Sequence, residues 1–232
     1  IQQSYQELHN VPLCIDLTEH RMVGIVGGSK KSGALDIMHI LVAQIAASNC
    51  YTDVKMAFIY DEGKDDAADW EYMKWFPHVW AEDKKSRYIA KNHVEARDVL
   101  YEITTVLRTR LENRTTSVGR QDKLPLPQFI IFISDPEILE GELIIKYITD
   151  ENNRDITTVL LTDSYENLPN ACGYIIQNDG SFRGMYGIEE DIEDRKHVSF
   201  DTISNVQLET MARTLANIQV HETCLLYTSP SP

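Results

Sequence analysis

The chain has 232 residues, 43% of them hydrophobic and 25% charged, enough for one large α/β domain with a substantial buried core. A formal net charge of -14 argues against a broad nucleic-acid or anionic-membrane surface, because both need clustered Lys and Arg. No run approaches the ~18 apolar residues of a membrane span, and Cys14, Cys50, Cys172 and Cys224 lack C-x-x-C or metal-type spacing, which points to free buried thiols.

Both ends read as cut. Ile1 stands where a start methionine would be, so we expect the chain to be internal to a longer protein. Residues 224–232 (Cys-Leu-Leu-Tyr-Thr-Ser-Pro-Ser-Pro) resemble a translated sequencing adaptor, an artefact to be excluded from fold reasoning. The domain proper is therefore expected over residues 5–220.

In chain order, residues 11–17 read as a short strand with Pro12 at its start or on an edge. Residues 22–27 form a second strand, and residues 34–47 a helix with Ile37, Met38, Leu41, Val42 and Ile45 at helical spacing. Residues 54–60 are nearly continuously apolar at their centre, as a buried parallel strand should be. Acidic residues 65–69 start a short helix that carries the aromatic block and stops at Pro77. A strand at 87–90 precedes a long helix from Asn92, an expected N-cap, with Val99, Leu100, Ile103, Val106, Leu107 and Leu111 inward. Residues 115–127 read as a polar loop. Strands follow at 129–133, 156–161 and 174–176, with a helix at 142–149. An antiparallel hairpin (183–188 with 197–200) and an amphipathic helix (206–218) close the chain. This alternation predicts an α/β fold: a three-layer, doubly wound, mostly parallel sheet with a C-terminal antiparallel hairpin.

The most informative stretch joins the second strand to the first helix: Gly24-Ile25-Val26-Gly27-Gly28-Ser29-Lys30-Lys31-Ser32-Gly33. A strand ending in paired glycines, then small and basic residues, then a helix, is the layout of a phosphate-cradling loop. The P-loop spacing is absent. With Lys31-Ser32 as the Lys-Ser pair, Ile25 and Lys30 fill the two glycine positions. With Lys30 as the phosphate lysine, Ser29 precedes it and Lys31 replaces the magnesium-binding hydroxyl. Two readings stand: a plain β-turn-α connection, or a nucleotide site built from Gly27, Gly28, Ser29, Lys30, Lys31 and Ser32.

Ligands of such sheets gather at the C-terminal strand ends, where Asp61-Glu62, Asp135 and Asp163 fall. In P-loop ATPases with an additional strand, the acidic pair ends the later strand, here 129–133. That strand offers Asp135 for magnesium but has Pro136 where a catalytic Glu would stand, so no catalytic residue is assigned. All three tryptophans lie between positions 70 and 80, with Pro77 and His78 among them. Trp70, Trp75, Pro77, His78 and Trp80 are candidates for a partner-binding anchor, although core packing explains them as well.

Residues 11–17 (Val-Pro-Leu-Cys-Ile-Asp-Leu), the Gly-Ile-Val-Gly of 24–27, and Trp70 followed by Lys74-Trp75-Phe76-Pro77-His78-Val79-Trp80 together resemble the EssC/EccC membrane ATPases of type VII secretion. Residues 129–136 and 215–218 support the likeness, which spans about 6–220. It is similar to the degenerate ATPase-like domain that precedes the FtsK/SpoIIIE-type motor modules. The resemblance implies a P-loop NTPase fold of the FtsK/RecA-like type at the cytoplasmic face of the plasma membrane. It implies adjoining motor domains in the same chain, other type VII secretion membrane components as partners, and an oligomeric parent complex. It also implies ATP and magnesium in the parent protein. For this segment the degraded loop leads us to expect no cofactor and a non-hydrolysing structural or regulatory role. The alternative is a nucleotide-binding or active ATPase domain with an unorthodox P-loop.

Overall fold

The computed structural model describes residues 11–116, 126–150 and 153–219. Strands β1 (Met22–Val26), β2 (Val54–Ile59), β3 (Ile89–Ala90), β4 (Gln128–Ile133), β5 (Ile156–Thr162) and β6 (Tyr174–Asn178) run parallel. Strands β7 (Arg183–Gly187) and β8 (Lys196–His197) extend the sheet antiparallel. The spatial order is β3-β2-β4-β5-β1-β6-β7-β8. Strand β5 thus separates β1, which ends at the glycine loop, from β4, which ends at Asp135.

Alternation along each strand divides the core in two. Val23, Ile25, Met56, Phe58, Phe132 and Leu161 pack toward α1 (Ser32–Ser48), α4 (Asn205–Leu215) and the aromatic block. Met22, Val26, Ala57, Ile59, Ile131 and Leu160 pack toward α2 (His93–Thr116) and α3 (Ile145–Ile148). This is the expected three-layer, mostly parallel architecture, and the strands buried on both faces explain its near-continuous apolar runs. Phe58 and Phe132 sit opposite each other in register and stack at 5.2 Å, tying β2 to β4.

Helix starts follow local chemistry. The Asn92 side-chain oxygen accepts from the Val94 and Glu95 N–H groups at 3.0 Å, the expected N-cap. Ser204 and Gln207 form a capping box that opens α4. At the start of α1, Gly33 lies against the β6–β7 turn, where an added Cβ would come within 1.8 Å of the Asn178 carbonyl oxygen.

Several expectations are corrected. Residues 11–16 are irregular, with Val11 56% and Leu13 46% exposed. Both sheet edges are taken by β3 and β8, and this segment meets the sheet only near its end, where Thr157 donates to the Leu17 carbonyl. The expected helix through the aromatic block is three separate 3-10 turns, Ala67–Asp69, Glu71–Trp75 and Pro77–Val79. Phe76, extended because a proline follows it, breaks the run. The 142–149 helix contracts to α3 behind a 3-10 turn, Pro136–Leu139. Leu111 is exposed rather than inward, Cys14 is exposed and Cys50 half-buried. Cys172 is buried, and burial pushes its thiol up to about 12, so it is an inert core group. The loop at 115–127, the domain's first residues and the adaptor-like tail lie largely or wholly outside the described residues.

Two buried histidines carry a pH signature. His39 faces Asp69 and His78 faces the Asn49 carbonyl, yet burial outweighs these contacts and holds both below the ordinary imidazole value. The unfolded chain therefore binds protons that the folded chain refuses. Stability should be level above about pH 6.5 and fall as pH drops below it. Melting temperatures from neutral pH to about pH 5 should show this decline, shallower in His78→Gln. Gly33→Ala should cost about 3 kcal/mol or more in urea unfolding, because a backbone oxygen blocks the new methyl. Gly173→Ala, which meets only open space, should stay within about 1 kcal/mol of the parent.

Candidate functional site

The loop after β1 keeps the shape of a phosphate-binding turn but turns its groups on the protein itself. Gly28 has φ of 68°, and Lys30 and Lys31 both have φ of 56°. Two successive lysines in the left-handed region cost about 1–2 kcal/mol each, strain that glycines would not carry. The backbone N–H groups are spent internally: Gly27 donates to the Thr162 carbonyl, Lys31 to Gly28 and Gly33 to Gly27, at 2.9–3.0 Å. Ser32 N–H is bonded to the Ser29 carbonyl. The glycines have packing reasons of their own. A Cβ on Gly27 would lie 2.1 Å from the Ala34 nitrogen, and one on Gly28 would lie 3.0 Å from the Asp179 carbonyl oxygen.

Lys31 turns inward, whereas Ser29, Lys30 and Ser32 are exposed. Its ammonium donates to the Ser134 carbonyl just beyond β4 at 2.5 Å and lies 3.3 Å from Asp65. Asp65 also accepts from the Ser134 hydroxyl at 2.5 Å and the Asp61 N–H at 3.1 Å. The lysine best placed to meet a phosphate therefore already faces an internal carboxylate. Asp135, next along, is bound by Lys64 at 2.5 Å and accepts from the Glu137 N–H at 3.0 Å as the cap of the Pro136–Leu139 turn. Burial opposes the Asp135 charge, but Lys64 and that N–H prevail and hold its carboxyl below the usual range. The remaining strand-end acids are also engaged: Asp61 with the Gly63 N–H, Glu62 with Lys91, and Asp163 with Asn167.

As arranged, these residues do not fit magnesium–triphosphate. Its γ-phosphate would have to displace Asp65 from Lys31, four of the loop's N–H donors are committed, and Lys64 occupies the carboxylate that would hold the metal. Among the described residues, no three His, Cys, Asp or Glu groups converge as metal ligands, and no helix is long and apolar enough to cross a membrane.

The structure brings Lys31 and Asp135 to one rim, linked through partners that sequence reasoning missed. Asp65 reads as a first-turn helix carboxylate, and Lys64 as one charge in an acidic run. Their placement directly after a buried strand, the usual address of ligand-facing groups, was the available signal.

The aromatic block lies apart from this rim. Trp70 is 1% exposed and stacks on Tyr60 at 5.1 Å; His78 is 2% exposed. These two are interior groups, so neither offers the surface anchor expected of them. Trp75, Pro77 and Trp80 are half-buried. The guanidinium of Arg213 on α4 covers the Trp75 ring at 4.0 Å, and Arg87 covers Trp80 at 4.0 Å. Most of the block is thus spent on fastening α4 and β3 to the sheet.

No protein-family model matches the chain. It is 29% identical over 224 residues to the ESX secretion system protein EccC of Geobacillus thermodenitrificans, an alignment that covers 94% of this chain and 14% of that protein. It is 25% identical over 190 residues to the ESX secretion system protein YukB of Bacillus subtilis, covering 78% of this chain and 12% of that one. The chain therefore spans about one seventh of the length of the relatives it matches. In fold it resembles ATPases 2 and 3 of Thermomonospora curvata EccC, solved in complex with a signal sequence peptide, with a TM-score of 0.59. That match has 14% identity and covers 91% of this chain and 45% of that one. Along nearly its whole length the chain is thus similar in sequence to a segment of the ESX secretion system proteins EccC and YukB, and it shares its fold with the ATPase domains of EccC.

Proposed function

We propose that this segment is a non-hydrolysing, ATPase-like structural and regulatory module of a type VII secretion ATPase that drives protein export. The observation that carries the reading is the engagement of Lys31 by the Ser134 carbonyl and Asp65. An internal carboxylate occupies the electrostatic role of a phosphate, so the loop holds its shape without nucleotide. Pro136 beside Asp135 supports the same reading, because it supplies no base to activate water.

In this proposal the parent protein contains ATP- and magnesium-using motor domains in the same chain. The segment contacts those domains and other membrane components of the secretion system at the cytoplasmic face of the plasma membrane, within an oligomeric complex. It does not engage nucleic acid, in keeping with the net charge of -14. Trp75, Pro77 and Trp80 keep enough exposure to contribute to such a contact; Trp70 and His78 support them from inside.

Calorimetric titration with magnesium–ATP should give no binding heat at millimolar nucleotide, and phosphate release should not exceed trace contamination. Turnover by the purified chain that Asp135→Asn abolishes would overturn the proposal. Lys31→Met provides an independent check, since it strands Asp65 beside the Ser134 hydroxyl. Chemical unfolding should register a loss of about 1–3 kcal/mol, and Asp65→Asn in the same background should recover part of it. A loop kept for nucleotide would instead lose affinity with little change in stability.

A further inference from the structure

At the opposite end of the sheet from the loop, beside the N-terminal ends of β2 and β4, lies a cleft of about 650 Å³. One wall is apolar and aromatic, made by Pro77, Trp80, Pro127 and Ile218; Tyr51 and Lys55 also line it. Lys55 is the unusual member. It is a strand residue only 7% exposed, its backbone is paired in the β2–β4 ladder, and among the described residues its ammonium makes no direct hydrogen bond or ion pair. Its ammonium lies 5.7 Å from the centroid of the Tyr51 ring, and the Glu82 carboxylate acts on it only through space. A cation so buried is seldom left without a directly bonded counter-charge, because a carboxylate acting from a distance compensates little of the desolvation cost. Burial accordingly lowers its affinity for a proton, with Glu82 opposing and Lys84 adding to the effect.

We propose that this cleft binds a small organic monoanion, a carboxylate on a flat or branched apolar body, with Lys55 as its counter-ion. The charge around the cleft selects the class. Asp53 and Glu82 line it together with Lys55 and Lys84, so the two carboxylates repel a multiply charged polyphosphate several times more strongly than a single negative charge seated at the Lys55 ammonium. The Trp80, Pro77 and Ile218 wall favours an apolar body over a sugar or a polar metabolite. The site is separate from the Lys31 rim and does not depend on whether the loop holds nucleotide.

Titration of the 232-residue chain with indole-3-acetate and isovalerate tests this, with indole-3-acetamide and isovaleramide as uncharged counterparts. At least one acid should bind at millimolar concentration or below, about tenfold or more tighter than its amide. Lys55→Met should abolish that preference and Lys55→Arg should keep it. Reductive methylation of the unaltered chain, mapped by mass spectrometry, removes any dependence on variant folding: bound acid should slow the labelling of Lys55 about fivefold or more and leave exposed Lys30 unchanged. Failure of both acids to bind, equal binding of acid and amide, or a Lys55 labelling rate indifferent to the acid would overturn the proposal.

Discussion

The contact between Lys31 and the end of β4 organises the upper rim of this domain. One ammonium reaches from the loop after β1 to the Ser134 carbonyl and to Asp65, joining three segments distant in sequence. Because β5 separates β1 from β4, no backbone hydrogen bond can make that link, and a long side chain must. The lysine is 22% exposed in its side chain and Asp65 10%, so the pair is partly desolvated, and the Ser134 hydroxyl and Asp61 N–H both donate to the other carboxylate oxygen. Several neighbours are similarly committed: Lys64 to Asp135, Asp135 to the following turn, and the N–H groups of Gly27, Lys31, Ser32 and Gly33 to nearby carbonyls.

The aromatic block shows the same economy. Trp70 on Tyr60, Arg213 over Trp75 and Arg87 over Trp80 place each large ring against one partner within the domain. Their concentration in a short stretch reflects a geometric demand. Three short 3-10 turns cannot bury a continuous stripe as an α-helix would, so a few large side chains must supply the covering area between the sheet and α4.

Much of the fold was legible beforehand because its signals are local. Continuous apolar runs marked β2, β4 and β5, helical spacing marked α1 and α2, and Asn92 announced the start of α2. The parallel, doubly wound architecture followed from the α/β alternation, whereas the order of the strands is set by tertiary pairing and appears only in the fold. Failures came where tertiary context decides. Residues 11–17 look strand-like but find no open sheet edge, and the helix expected after Asp65 loses to Pro77 and to the packing of its rings. The loop was legible as a departure from the P-loop spacing, yet the partners that satisfy it were not. No pattern in the sequence indicates that Asp65, 34 residues from Lys31, would meet it. Lys55 was hidden for the opposite reason: a charged residue in an apolar run reads as an edge position, and only the fold shows it 7% exposed beside a cleft.

The bridge from Lys31 also has a mechanical meaning. In a loop that opens and closes around a ligand, the turn between strand and helix can yield, and a pull on the helix is dissipated there. Here the turn is pinned at Gly28 against the Asp179 backbone, at Gly33 against Asn178, and through Lys31 to the far side of β5. A displacement of α1 would therefore have to break or carry with it a side-chain link that crosses β5 to the end of β4.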